Sequence, residues 1–248
     1  MIRLDGYRVL VTGGSRGIGA ACWRKFAAAG ATVAVHYARA RERAEILRGR
    51  LEGEGHFAVQ ARLDSQAEVE AAVARVSERS ERIDCLVNNA GVWRSNRLDR
   101  LDLERLQETW RVNVRGLFQL TAALLPLLRR SQRANIVNIS STAGQRGEAF
   151  HSDYAASKGA VISATKSWSS ELAPEIRVNS VAPGWVDTEM CTEAFADGGR
   201  EAIEREIPLG RVASPDDIAG PVLFLASPLA RHITGEILNV NGGSVLVG

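Results

Sequence analysis

The sequence is poor in cysteine: Cys22, Cys85 and Cys191 are odd in number, far apart and without a Cys-x-x-Cys pair. A disulfide framework and a thiolate zinc site are thereby excluded, and a reducing compartment fits. Histidine is equally sparse. His36, His56, His151 and His232 show no metal-ligand spacing with one another or with cysteine, so no metal is expected. No apolar run approaches the roughly 18 residues that a spanning helix needs, so no membrane role is expected. Neither charge sign is in excess: 31 basic against 29 acidic residues leave a net +2, spread along the chain. That balance offers no footprint for nucleic acid or an anionic membrane. The opening Met-Ile-Arg-Leu-Asp-Gly has no cleavable-signal pattern, and the expectation is a cytoplasmic protein. Linkers, repeats and low-complexity tracts are missing too, so residues 1–248 are expected to form one domain.

What is present is a soluble, globular composition, 45% hydrophobic and 24% charged, at a length normal for one α/β unit. Short β-rich runs alternate with helical patterns. Strands are expected at Tyr7–Thr12, Thr32–His36, Phe57–Leu63, Ile83–Val87, Asn135–Ile139, Arg177–Val181 and Ile237–Val240. Helices are expected at Ile18–Ala29, Arg41–Glu52, Gln66–Arg79, Trp110–Leu128 and Tyr154–Leu172. Strand–helix–strand units repeated in this way predict an α/β fold: a doubly wound, mostly parallel seven-stranded sheet with helices on both faces. The polar segment Asp187–Pro208 follows the sixth strand and has the place of a substrate lid, about residues 187–208. Two helices, Trp110–Leu128 and Tyr154–Leu172, are apolar nearly all round, which predicts burial on more than one side. A partner subunit is one cover for the second side; neighbouring helices of the same chain are the other.

Two patterns carry chemistry. In Thr12-Gly-Gly-Ser-Arg-Gly-Ile-Gly19 a strand ends at Gly13 and a helix opens at Gly17-Ile18-Gly19, spaced G-x-x-x-G-x-G. Glycine permits the tight turn and the close approach of a pyrophosphate, which the free N–H groups of a helix N-terminus attract. Far downstream, Tyr154 and Lys158 stand four apart and share one helix face. An ammonium beside a phenol favours the phenolate and predicts a pKa lowered from about 10 towards working pH. Ser141 lies just beyond a strand's carboxyl end, where open α/β sheets bind ligands, and Ser140 beside it is the competing choice. Together these groups predict proton transfer next to a bound nucleotide, with hydride transfer as the reaction.

Cofactor choice follows from charge. A site selective for NAD(H) sets an acid at the end of the second strand, against the ribose 2′-hydroxyl. Here Val35-His-Tyr-Ala-Arg-Ala-Arg41 has none before Glu42. Arg16 and Arg39 are suited to a 2′-phosphate, which favours NADP(H); the alternative is that Arg39 and Arg41 simply begin a solvated helix face.

With Thr12–Gly19, Asp64, Asn88-Asn-Ala-Gly91, Asn113, Ser141, Tyr154-x-x-x-Lys158, Pro183-Gly184 and Asn239-Val-Asn-Gly-Gly243 in that order, the chain resembles the short-chain dehydrogenase/reductases from Leu4 to Gly243. Within that family it is similar above all to the 3-oxoacyl-acyl-carrier-protein reductases. The resemblance implies that Tyr154 is the proton donor or acceptor, that Ser141 polarises the carbonyl, that Lys158 holds the ribose hydroxyls, and that Asn113 anchors a water-mediated relay. It implies cofactor contacts from Gly13, Ser15, Arg16, Gly17, Ile18 and Gly19. Further contacts are implied from Tyr37, Arg39, Asp64, Asn89, Ala90 and Gly91, and on the far side from Pro183, Gly184, Val186 and Thr188. Asp64 has a competing role as the N-cap of Gln66–Arg79. Trp93, Gln145, Arg146, His151, Trp185 and Met190 fall where the family lines its substrate pocket, though ordinary packing serves equally for each.

The family's implied function is interconversion of a ketone and a secondary alcohol in a homotetramer. The leading substrate is a 3-oxoacyl thioester on acyl-carrier protein or coenzyme A, and an alcohol, sugar, polyol or xenobiotic carbonyl is the rival. A non-catalytic NADP-sensing regulator is the remote alternative. The basic docking surface such reductases present to a carrier is matched by Arg129-Arg130-Ser-Gln-Arg133. It is not matched by the acidic Glu171-Leu-Ala-Pro-Glu175.

Overall fold

The computed structural model describes residues 2–246. In chain order β1 (Arg8–Val11) leads to α1 (Gly17–Ala28), β2 (Thr32–Tyr37) to α2 (Arg41–Arg48), and β3 (Phe57–Gln60) to α3 (Gln66–Arg79). After β4 (Cys85–Asn88) come α4 (Leu103–Trp110), a π-helical turn (Arg111–Arg115) and α5 (Gly116–Leu128). Then follow β5 (Asn135–Ile139), the single turn α6 (Ala143–Arg146), α7 (Ser152–Glu171) and β6 (Arg177–Pro183). The chain closes with α8 (Gly199–Glu206), α9 (Pro215–Ala226) and β7 (Ile237–Val240).

The strands pair in parallel in the order β3-β2-β1-β4-β5-β6-β7. This is the doubly wound sheet expected. The central strands are buried almost along their whole length and mostly apolar, as parallel strands covered on both faces must be, with Asn88, Asn135 and Asn138 as buried polar exceptions. On one face Trp23, Phe26, Val222 and Leu225 pack α1 and α9 against Val9, Val11 and Val33. On the other, Val69, Leu120, Leu124, Val161 and Trp168 pack α3, α5 and α7 against Leu10, Leu86 and Ile136.

Several bounds differ from expectation. The helix expected at Trp110–Leu128 begins earlier, at Leu103, because the Asp102 carboxylate caps it by accepting from the N–H groups of Glu104 and Arg105. It also passes through the π turn. The helix expected to reach Glu52 stops at Arg48, before the turns around Gly49, Gly53 and Gly55. Asp64 does not cap α3; Ser65 does, its hydroxyl accepting from Glu68 N–H at 3.4 Å. The segment 187–208 is not wholly irregular, since it contains a 3₁₀ turn (Glu189–Cys191) and α8. Both apolar helices are largely covered within the chain, but Trp110 and Phe118 stay 39% and 44% exposed on α4 and α5.

At the amino ends of the central strands the fully buried carboxylate of Asp84 fastens four residues together. It accepts from Arg8 N–H of β1 at 2.8 Å, from Ser131 Oγ at 2.6 Å, and from the Nε atoms of Arg82 and Arg133 at 3.0 and 3.3 Å. Burial opposes its ionisation, but these donors prevail and hold its pKa below the ordinary value. A folded pKa below the unfolded one contributes stability above the carboxylate range and loses it as pH falls through that range. Asp84→Asn is therefore expected to cost about 2–4 kcal/mol in urea unfolding at pH 7. The gap to wild type should narrow below about pH 4.

Candidate active site

The strand order reverses between β1 and β4, and the crevice beyond their carboxyl ends is where an open α/β sheet takes its ligand. Thr12 and Asn89 lock the two ends together. Thr12 Oγ accepts from the N–H groups of Asn89 and Ala90, both at 2.9 Å, and the Asn89 amide donates to Thr12 O at 2.8 Å and Gly13 O at 3.1 Å. Gly13 has φ +63°, and a Cβ there would stand 2.8 Å from Ala90 Cα, so only glycine fits the closed turn. His36 completes the clamp: its Nδ1 accepts from Gly13 N–H at 3.1 Å, and its Nε2 lies 3.0 Å from Ala61 O. Burial lowers this imidazole to about 4, so it is neutral and Nε2 carries the proton towards the carbonyl. Arg16 places no side chain on the N-terminus of α1, which leaves the first N–H groups of that helix open. That is the donor set a pyrophosphate requires, and the residues present fit a dinucleotide.

The catalytic candidates converge on this crevice. Ser140 turns inward, donating to Val181 O at 3.1 Å and accepting from Ser180 Oγ at 2.8 Å, so it is occupied between β5 and β6. Ser141 makes no such tie between the strands: its Oγ accepts from Ala143 N–H at 3.1 Å, and its hydroxyl acts to lower the Tyr154 pKa. Gly144 on α6 lies so close to α7 that a Cβ would stand 2.6 Å from the carbonyl carbon of Lys158. That contact sets the depth at which Lys158 enters. Its Nζ donates to Ile139 O at 2.8 Å and stands 5.8 Å from the Tyr154 ring centroid. Asn113 sits in the π turn, a feature that often re-aims a residue at a functional site. Its Oδ1 accepts from Val92 N–H at 2.8 Å, and its Nδ2 donates to Val92 O at 3.0 Å and Ser157 Oγ at 3.1 Å.

The lowered phenol pKa expected from the Tyr–Lys spacing is not what the chain's own groups produce. Burial pushes Tyr154 above its ordinary value; Ser141 opposes this, while Glu148 and Cys191 add to it. Burial also lowers Lys158 to about 8, so the ammonium is itself weakened. Desolvation disfavours both charged forms, and at this separation it outweighs their mutual attraction.

The expected cofactor contacts divide. Thr188 lies over the Gly-rich turn, 3.1 Å from where a Cβ on Gly17 would project. Ser15, Ile18 and Gly19 line the same turn and the first turn of α1, while Ala90 and Gly91 form the facing loop. Pro183 and Val186 are buried at the end of β6 beside Gly184. Tyr37 is 5% exposed and packs in the core, and Arg39 is exposed without an ion pair among the described residues. Arg43 joins Arg16 instead: their guanidinium groups lie 2.5 and 2.9 Å from the Glu189 carboxylate. Arg43 went unrecognised because it is embedded in the charged run Arg39–Arg43.

An aromatic wall gathers from the loop after β4, the residue that precedes α7 and the segment after β6. Trp93 stacks on His151 at 4.3 Å and 7°, meets Trp185 edge-on at 6.0 Å, and Trp185 lies 6.0 Å from Phe195. Glu148, which sequence reasoning passed over, accepts from the Trp93 indole N–H at 3.3 Å. Gln145 points to Asn239 of β7, bonded at 2.7 Å, with its Oε1 buried and unpartnered. Arg146 and Met190 are exposed.

Residues 13–244 match the family described as enoyl-(acyl carrier protein) reductase. The chain is 39% identical over 237 residues to a protein of Staphylococcus aureus named 3-oxoacyl-(acyl-carrier-protein) reductase FabG, covering 94% of this chain and 96% of that one. A short-chain dehydrogenase/reductase, glucose/ribitol dehydrogenase, from Brucella melitensis superposes with a TM-score of 0.95 at 32% identity, covering 99% of each chain. A gluconate 5-dehydrogenase from Burkholderia cenocepacia, solved with NADP and tartrate, gives 0.91 at 32%, covering 98% of this chain and 96% of that one. A 3-ketoacyl-(acyl-carrier-protein) reductase from Brucella melitensis, solved with NADH, gives 0.90 at 34%, covering 98% and 99%.

The Lys158 shift makes a signed prediction. Its folded pKa, about 8, lies below the ordinary 10.5, so between those values the unfolded chain binds more protons and stability rises with pH. Below that window the buried charge is a standing cost. Lys158→Met is expected to be more stable than wild type at pH 7 by about 1–3 kcal/mol in denaturant unfolding of the cofactor-free protein. The advantage should shrink as pH approaches 10.

Proposed function

The chain belongs to the short-chain dehydrogenase/reductase family and is an oxidoreductase of CH–OH groups, and from that premise we propose that it reduces a 3-oxoacyl thioester with NADPH. The observation that carries the reading is the convergence of Ser141, Tyr154 and Lys158 on the crevice beside the Gly-rich turn, in a chain similar to proteins named for that reaction. Ser141 donates a hydrogen bond to the substrate's 3-oxo oxygen and polarises it. Tyr154, whose burial keeps the phenol protonated, gives its proton to the same oxygen as negative charge develops there. A protonated acid at neutral pH is the form that reduction needs, which argues for the reductive direction. Bound in the crevice, the nicotinamide cofactor supplies the hydride. The turn Gly13–Gly19 and the loop Asn89–Gly91 hold its phosphates and ribose, Lys158 its nicotinamide ribose hydroxyls, and Val186 and Thr188 its amide end.

The preference for NADPH rests on the absence of an acid at the end of β2 and on Arg16 and Arg43, which already gather round one carboxylate. The remaining parts of the reading are a single domain with residues 187–208 as its lid, in the cytoplasm. A homotetramer would cover the exposed Trp110 and Phe118. Among the described residues no helix is long and apolar enough to cross a membrane.

One observation favours a second substrate class, a small free ketone or polyol. The basic segment that would receive a carrier protein is turned to other work: Arg129 pairs with Glu175 at 3.1 Å, Arg130 donates to Glu81 O, and Arg133 engages Asp84.

Purified protein is expected to consume NADPH with acetoacetyl-coenzyme A, and Tyr154→Phe to lower kcat by about 10²–10⁴-fold while still binding NADPH. A Tyr154→Phe protein that turned over normally would remove the phenol from the chemistry. NADPH binding without thioester turnover by wild type would move the substrate to the second class. For the cofactor, Arg16→Ala with Arg43→Ala should raise the ratio of KM for NADPH to KM for NADH about tenfold; an unchanged ratio would dissociate these arginines from the 2′-phosphate.

A further inference from the structure

One carboxylate beside the aromatic wall has no lysine or arginine partner among the described residues. Glu148 lies six residues before Tyr154, in the turn that leads from Gly147 into α7, and its side chain is only 19% exposed. Its Oε2 accepts from the Trp93 indole N–H at 3.3 Å, and its Oε1 lies 3.9 Å from His151 Nδ1, which is itself 3.1 Å from Ala149 O. No lysine or arginine of the described residues forms an ion pair with it. The groups around it are fixed: the Trp93 ring is stacked on His151 and braced edge-on by Trp185. Its contacts with Trp93 and His151 set the carboxylate beside the aromatic wall at the entrance to α7, and its charge is among the lesser influences that raise the Tyr154 phenol and the Cys191 thiol.

A sparsely hydrated carboxylate held by one indole N–H keeps most of its field. A free 3-oxo acid brings a second carboxylate two bonds from the ketone it presents to Ser141 and Tyr154. Two like charges brought together in a partly dry site disfavour binding by a factor on the order of ten or more. An ester or thioester of the same acid has no such charge, and its acyl portion lies against the aromatic wall. We propose that Glu148 is a specificity-determining residue that admits the uncharged 3-oxo ester or thioester and turns away the free 3-oxo acid anion. The inference rests on the 3-oxoacyl reading of the site.

The test compares methyl acetoacetate with acetoacetate at pH 7, by kcat/KM with NADPH and by binding to the protein–NADP complex, read from quenching of tryptophan fluorescence. Wild type should favour the ester by about 10²-fold. Glu148→Gln should narrow that ratio about tenfold, and Glu148→Asp, which keeps the charge, should stay near the wild-type ratio. Equal treatment of the two compounds by wild type, or a ratio unmoved in Glu148→Gln, overturns the proposal. The wild-type ratio decides alone if the glutamine variant does not fold. If both compounds bind, the ester preference narrows in Glu148→Gln and neither is reduced, the 3-oxoacyl reading fails and the assignment of Glu148 stands. If the ester is reduced and the ratio does not respond to the charge, the reverse holds. If neither binds, both fall.

Discussion

Thr12 and Asn89 hold the carboxyl ends of β1 and β4 within hydrogen-bonding distance, and the rest of the site is built out from that junction. The Thr12 hydroxyl receives two backbone N–H groups and donates to Val87 O, so the end of one strand is tied to the loop leaving the other. Asn89 returns the tie through its amide. These bonds leave the Gly-rich turn no room for a side chain at Gly13, and they fix where α1 begins. His36 extends the junction sideways, joining Gly13 to the end of β3 through a ring that burial keeps neutral. The crevice between β1 and β4 is therefore a rigid cleft, and pre-set geometry of this kind reduces the entropy lost on binding.

A second polar network carries that rigidity to the catalytic helix. Asn88 donates to Thr121 and to Asn138, and Asn138 donates to Thr165, which links β4, β5, α5 and α7 by side chains buried among apolar neighbours. In such surroundings a partner geometry missed by an ångström leaves a group unsatisfied, so the network selects one register of α7 against the sheet. Gly144 sets the distance from the other side. Lys158 then reaches Ile139 O at a depth where its charge is costly. The fold spends stability at this position to keep an ammonium beside the cleft.

Much of this was legible in the residues. The bounds of α3, β5 and β7 follow the sequence pattern residue for residue, because strong periodicity lies between clear turn signals. The alternation of strand and helix was enough for the sheet. Other elements left no such trace. Helix α8 has no buried residue, hence no apolar face to read, and α6 is a single turn. The cap at Asp102 precedes a run whose apolar signal begins only later. Ser140 and Ser141 are equivalent in sequence and become distinct only when β6 offers Ser180 and Val181 to the first. Glu148 acquires meaning from Trp93, 55 positions earlier, and spacing along a chain does not reveal a contact made through a third segment.

The same burial that raises Tyr154 and lowers Lys158 also bears on how the proton lost by Tyr154 is replaced. Lys158 Nζ stands 5.8 Å from the phenol ring centre and donates to a backbone carbonyl, so direct transfer between the two lacks a hydrogen bond. Asn113 does not supply the link through its amide. Both Nδ2 hydrogens are engaged, with Val92 O and Ser157 Oγ, its Oδ1 accepts from Val92 N–H, and an amide neither gains nor loses a proton near neutral pH. Its side chain instead pins the loop after β4 to α7, through Ser157, whose hydroxyl donates to Tyr154 O. The Asn113 side chain is thus a fastening between that loop and α7 and is committed to that structural work. The π turn is consistent with that role, since it shifts the helical ladder at the residue whose side chain is committed to the loop.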